Sequence, residues 1–385
     1  MLDGIRGLAI LAVLWHHFVI FSGLVPHVRL DHHLKHTGIS GWVGVDLFFV
    51  LSGFLITRIL YDTRSSRRYY FNFYGRRALR ILPLYYAFLA FAFFVAPVFL
   101  APEASETLTS GQAWYWLYLS NIKVALDGWQ QPLHLGHFWS LAVEEQFYLI
   151  WPLVVRALSR RRLIVVCIIC FLAALGLRLV IPSWLAPEAV YVLMPTRMDA
   201  FAAGAAIALV ARGEDGLRSL GRWPLTILAV CTAFALFLYW RDKGIYELMP
   251  LTRTVGYSVF AAGFAALIAV SLSSGRGSIL RRALASAPLV ALGKYSYALY
   301  VFHSPIILMM RDAGIQVDLV PTVFGSQLPG LVVFSAIAGG LSFACALLSW
   351  RFIEAPMQRL KRHLHTGATA PTNRALPHDH AGSHH

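Results

Sequence analysis

Arg6 and His17 stand eleven positions apart in an otherwise apolar stretch, LDGIRGLAILAVLWHHF. On an α-helix that spacing is about 1100° of rotation, roughly 20° from alignment, so the two share a face about 16 Å apart along the axis. A neutral imidazole beside a carboxylate suits general-base work on an alcohol. Candidate carboxylates fall at matching depths in other apolar stretches. Asp46 lies in GWVGVDLFFVLSGFLIT, and Glu144 and Glu145 lie in HFWSLAVEEQFYLIWP. Adjacency puts the two glutamates on different faces, so at most one looks into a shared cavity. MPTRMDAFAAG adds Arg197 and Asp199, and GKYSYALYVFH adds Lys294 and His303. Arg76, Arg77 and Arg80 form a basic cluster below them. Guanidinium groups grip phosphate in bidentate fashion and stay charged. The set as a whole suits a phosphate-bearing donor entering from one side of a membrane and a hydroxyl acceptor met near its middle or from the other side. Plainer readings fit the same residues: His17 as a helix-packing hydrogen bonder, Arg6 as a snorkelling anchor, the arginine cluster as membrane-face charge. Trp139, Tyr148 and Tyr297 offer a stacking surface for a sugar, although Trp and Tyr also gather at bilayer interfaces without any ligand.

Side chains of this kind need elements that hold them inside an apolar medium. The chain has 385 residues, 58% hydrophobic and 14% charged, where a soluble domain carries about 25% charged residues. That composition excludes disorder and argues strongly against an ordinary water-soluble enzyme of one or two domains. A bilayer core takes roughly 20 apolar residues per helix. Ten stretches qualify, at about 4–24, 41–61, 80–100, 138–156, 163–182, 194–212, 224–240, 254–273, 288–310 and 328–350. An eleventh, 112–126, is short and aromatic and reads as re-entrant or interfacial. The net charge of +14 is concentrated in connections 64–80, 156–162, 212–222, 276–282 and 351–362. Ten spans place all five on one side with Arg6, which predicts cytoplasmic termini and a membrane rather than a nucleic acid as partner.

The expected fold is therefore an all-α integral membrane protein, with about ten transmembrane helices around a central cavity. The transmembrane domain is expected over 1–357, and a basic, then histidine-rich tail over 358–385 is expected to be disordered. No cleavable leader is expected, since the apolar run begins almost at Met1. Cys167, Cys170, Cys231 and Cys345 all lie in apolar runs and predict neither disulfides nor a zinc site; no metal is expected. Sequences of the GxSxG, P-loop and helical HExxH types are missing, which argues against a serine hydrolase, an ATPase and a zinc protease.

Read in order, LDGIRG with His17, GVDLFFVLSGFLIT, Arg77-Ala-Leu-Arg80 followed by Ile-Leu-Pro, HFWSLAVEEQFYLIWP, RMDAFAAGAAIA, YSYALYVFHSPI and RFIEAPM resemble the motifs of the membrane acyltransferase-3 family. These are bacterial inner-membrane O-acyltransferases of glycans and natural products. The resemblance covers roughly residues 2–357; each motif alone is weak, and seven in sequence are specific. It implies transfer of an acyl group, usually acetyl, from cytoplasmic acyl-CoA (acetyl-CoA) to a hydroxyl of a carbohydrate or glycosylated acceptor. It further implies that His17 is the family's critical histidine and Arg6 its paired arginine. By the same resemblance Arg77 and Arg80 belong to the donor site, and Glu144 and Glu145 are its paired carboxylates. On this basis His17 is expected to act as the base, or alternatively to carry the acyl group itself as an acyl-His intermediate, with Asp46 or one of Glu144 and Glu145 orienting its ring. Trp139, Tyr148, Arg197, Asp199, Tyr297 and His303 are expected to face the substrate. Some family members carry a fused extracytoplasmic hydrolase-like domain; without one, the expectation is direct transfer or handover to a separate periplasmic transferase. The competing class is a transporter or flippase of an acyl-bearing or anionic solute, for which the buried charges would mark a substrate path. The lack of a visible inverted repeat weighs against it.

Overall fold

The computed structural model describes residues 1–99, 111–129, 132–181, 184–275 and 277–364; the tail expected to be disordered lies, from residue 365 onward, outside the described residues. The principal helices are α1 (Leu2–Phe21), α2 (Arg29–Ile39), α3 (Val43–Thr63), α4 (Tyr69–Ala90), α5 (Ser120–Asp127) and α6 (Trp139–Ala157). They continue as α7 (Arg160–Leu179), α8 (Met194–Val210), α9 (Trp223–Asp242), α10 (Tyr257–Ser273), α11 (Ala287–Asp312) and α12 (Leu328–Ser349). No strand is present among the described residues beyond one isolated bridge, Val323 to Ser326. A helix satisfies its backbone polar groups within the segment, which a hydrocarbon medium demands.

Among the described residues, eight helical segments are long and apolar enough to cross a membrane. Of the ten spans expected, α6 and α11 fall outside that group although they run 19 and 26 residues. Both carry the polar residues that line the site, which lowers their apolar content. Large apolar side chains on α7 and α9, such as Leu172, Val230 and Leu236, point outward, as lipid-facing residues should.

Glycine contacts bring the helices that matter most into close register. α1 lies along α11, and a Cβ at Gly7 would collide with the Leu289 carbonyl, as one at Gly293 would with that of Asp3. α3 meets α8 in the same way, through Gly53 against Phe201 and Gly204 against Val50. Small residues at such crossings let backbones approach closely enough for dispersion to hold helices together in lipid.

The segment expected to be re-entrant is broken, as its length suggests. A four-residue helix, Ala113–Trp116, and the eight-residue α5 are each far too short to span. Side chains of neighbouring helices satisfy the carbonyls freed at the break. Tyr85 donates to Tyr115 O (2.8 Å), Tyr86 to Trp116 O (3.2 Å) and Gln146 Nε2 to Tyr118 O (3.1 Å). Irregular backbone at membrane depth is tolerated only when protein groups satisfy it in this way.

Candidate active site

Four helices, α1, α3, α6 and α11, line two cavities stacked along the bundle, and α4 joins them at the first. Periodicity explains how. On α1 the stripe through Arg6, Val13 and His17 runs from one cavity to the other, and on α11 Tyr297, Tyr300 and Ser304 do the same.

The first cavity, of about 90 Å³, is basic. Arg6, Arg77 and Arg80 line it with Ser52, Glu144 and Tyr148. Glu144 accepts from Ser52 Oγ (2.9 Å) and from the Tyr148 hydroxyl (2.8 Å), and the Arg77 guanidinium lies 4.5 Å from the centre of the Tyr148 ring. Arg6 bonds Asp3 at 2.9 Å. Neither Arg77 nor Arg80 has a carboxylate within ion-pair distance among the described residues. Lys361, just beyond the last long helical segment, adds to the same field: burial and the nearby guanidiniums of Arg80, Arg77 and Arg76 push its ammonium down to about 8. Cations crowded together without acid partners favour an anionic ligand.

The second cavity, of about 580 Å³, is lined by His16, His17, Trp129, Trp139, Tyr191 and Glu247, among others. His17 Nδ1 lies 2.9 Å from Val13 O. A carbonyl oxygen only accepts, so Nδ1 carries a proton, and in the neutral form of the ring Nε2 then keeps its lone pair. His303 packs edge-to-face on His17 with centroids 4.6 Å apart and is itself 5.2 Å from His137. The His303 Nδ1–H is likewise committed, to the carbonyls of Tyr300 (2.8 Å) and Leu299 (3.1 Å). His17 thus stands at a cavity wall with its Nδ1 held by its own helix and a second imidazole packed edge-to-face against it.

The remaining expected site residues are placed as follows. Glu144, not Glu145, lines the basic cavity. Tyr148 and Tyr297 line that cavity too, apart from Trp139 in the other, so the three do not form one stacking surface; Tyr297 donates to Ile81 O at 2.7 Å. His303 sits fully buried behind His17 rather than against the large cavity. Asp46 lines neither cavity and is ion-paired with Arg197, both at most 1% exposed. Arg197 also lies 4.1 Å from the Tyr257 ring centre. Asp199 bonds Arg178 at 2.8 Å and accepts from Ser258 Oγ at 2.7 Å. A carboxylate already neutralised by a buried guanidinium is poorly disposed to orient His17. These two pairs lock α3, α7, α8 and α10 together instead.

Sequence reasoning missed Arg178, although an arginine inside an apolar span is itself a signal. Trp129, Tyr191 and Glu247 carried no such signal: each comes from a different segment, and only the fold brings them to His17.

A family model described as an acyltransferase domain matches residues 1–351, and the chain belongs to that family, acyltransferase-3. It is a multi-pass membrane protein. Among curated relatives, the O-acetyltransferase OatA of Staphylococcus aureus (strain NCTC 8325 / PS 47) is 28% identical over 382 residues, covering 93% of this chain and 57% of the relative. The peptidoglycan O-acetyltransferase OatA of Listeria monocytogenes (serovar 1/2a, strain ATCC BAA-679 / EGD-e) is 28% identical over 383 residues, 93% of this chain and 55% of its own. The putative peptidoglycan O-acetyltransferase YrhL of Bacillus subtilis (strain 168) is 31% identical over 380 residues, 93% and 54% respectively. The chain thus spans little more than half the length of these relatives. No solved structure matches it.

Proposed function

We propose that this protein is an O-acyltransferase of the bacterial inner membrane. It moves an acyl group, acetyl foremost, from cytoplasmic acyl-CoA to a hydroxyl of a carbohydrate acceptor, with both termini in the cytoplasm. The observation that carries this reading is the pairing of a narrow cavity lined by three guanidiniums, those of Arg77 and Arg80 without an ion-pair partner among the described residues, with a wide, aromatic one lined by His17. The first suits a phosphate-bearing thioester with a thin pantetheine arm. The second suits a sugar, whose C–H faces stack on Trp129, Trp139 and Tyr191. The relatives named as peptidoglycan O-acetyltransferases support a cell-envelope glycan as acceptor.

In this reading Arg77 and Arg80, with Arg6, hold the donor phosphates, and Glu144 fixes Tyr148 and Ser52 so that Arg77 keeps its position. His17 Nε2 takes the proton of the acceptor hydroxyl as its oxygen attacks the thioester carbonyl. The C–O bond forms, the C–S bond breaks, and the imidazolium returns the proton to the departing thiolate. A freely handed-over acyl group, passed to a separate periplasmic transferase, would use the same first half-reaction. The test is purified protein with labelled acetyl-CoA: thiol release that depends on added glycan supports the reading, and a protein that moves the label across a bilayer without cleaving the thioester would replace it with transport.

Two outcomes follow at the donor end. Arg80→Ala is expected to raise the donor KM about 10- to 100-fold with kcat changed only a few-fold, the scale of a lost hydrogen bond to a charged group, about 1.5–3 kcal/mol; steady-state kinetics over acetyl-CoA concentration measures it. Lys361 supplies a pH signature. It is charged below about 8 and neutral above it, so donor binding should weaken as pH rises through that value. Lys361→Met should weaken binding at low pH and remove that step from the pH profile of donor KM.

A further inference from the structure

Among the described residues, Val45 and Tyr300 are the two that line both cavities, so they form the layer that any acyl group must pass. Tyr300 is held there from two sides. Its hydroxyl donates to His137 O at 3.0 Å and contacts Ser140 Oγ, which itself donates to His137 O at 3.2 Å. Its ring is 6% exposed and packs near Phe48 with centroids 6.4 Å apart. The polar ties fasten α11 to the start of α6 at the one height where the basic cavity ends and the histidine cavity begins.

The contrast in size gives this layer a chemical meaning. The large cavity has room for many waters, whereas the basic one has room for few. A thioester exposed to the large cavity before an acceptor arrives would meet water beside a histidine able to deprotonate it. That side reaction forms a carboxylic acid and free thiol, with the water oxygen taking the place of the sugar oxygen at the carbonyl carbon. Excluding water until the acceptor is seated is a recurrent requirement for a reactive intermediate. The geometry points to Tyr300 as the residue that sets transfer against hydrolysis: latched to Ser140 and the His137 carbonyl, it partitions the thioester from the water of the acceptor cavity. This rests on the acyltransfer reading above.

The test compares wild type with Tyr300→Phe, which keeps the ring and loses both ties, and Tyr300→Leu, which keeps apolar bulk and loses the ring. Two quantities are read: thiol release from acetyl-CoA by purified protein without any acceptor, and alkali-labile acetate on envelope glycans of cells making each variant. The expected result is acceptor-independent thiol release at least tenfold above wild type in Tyr300→Leu, a smaller rise in Tyr300→Phe, and less glycan acetate in both. A rise in hydrolysis is a gain that general loss of structure does not produce. Variants that hydrolyse acetyl-CoA no faster than wild type, whether transfer is kept or lost, overturn the partition while leaving acyltransfer standing. Wild-type protein that never releases thiol, with or without glycan, overturns the acyltransfer reading and the partition with it.

Discussion

Replacing His17 by alanine should abolish acyl transfer in a protein that still inserts and folds. General-base catalysis by a positioned side chain typically contributes 10²–10⁴-fold, and His17 is the cavity imidazole on the stripe of α1 that continues to Arg6. His16 and His137 line the same cavity, but His16 is turned about 100° from His17 on α1 and His137 precedes α6 on the far side of His303. His303 is buried behind His17. The loss should therefore appear in kcat, with donor KM close to wild type, because Arg77 and Arg80 lie in the other cavity. Thiol release measured on detergent-purified, monodisperse protein is the check, and His17→Ala turnover near wild type would remove His17 from the chemistry.

The second large effect is expected at Asp46, and it is of a different kind. Asp46→Ala leaves the guanidinium of Arg197, 1% exposed, buried without its carboxylate. Breaking one side of a buried pair costs about 3–5 kcal/mol, a large share of a typical folding free energy of about 5–15 kcal/mol. The expected outcome is loss of folded protein, seen as a lower thermal midpoint and reduced yield, with Asp46→Ala and Arg197→Met together recovering part of it. A catalytic Asp46 would behave otherwise: the single variant would fold normally and lose only kcat. The two substitutions thus separate a residue that performs chemistry from one that holds the helices on which the chemistry depends.

The course of the site along the chain is legible before folding where one helix carries it. The eleven-residue interval from Arg6 to His17 fixes a shared face by rotation alone, and α1 does present both to the stacked cavities. Adjacency likewise limits Glu144 and Glu145 to one cavity residue, and the structure selects Glu144. The break in 112–126 is legible because the segment is too short to span. Legibility ends where partners lie on different helices. Nothing in the spacing of Asp46 says that Arg197, far along the chain, will neutralise it, and a buried carboxylate reads alike whether it serves a base or a guanidinium. Tyr148 and Trp139 share α6 but face different cavities, because nine residues of helix carry a wall from one compartment to the next. Periodicity gives a face; it does not give the height at which a cavity closes. The polar content of α6 and α11 has the same origin, since helices that line a site trade apolar surface for function.

The central claim is that a donor anchored at Arg77 and Arg80 presents its thioester at the level of Val45 and Tyr300, within reach of His17. An experimental structure with a non-hydrolysable thioether analogue of acetyl-CoA tests it most directly. The account predicts phosphate oxygens on the two arginines and the carbonyl carbon pointing past Val45 and Tyr300 toward His17 Nε2, close enough for an acceptor oxygen to bridge them at about 3–3.5 Å from the carbon. An analogue seated with its phosphates elsewhere, or with its carbonyl walled off from the cavity that holds His17, would contradict it.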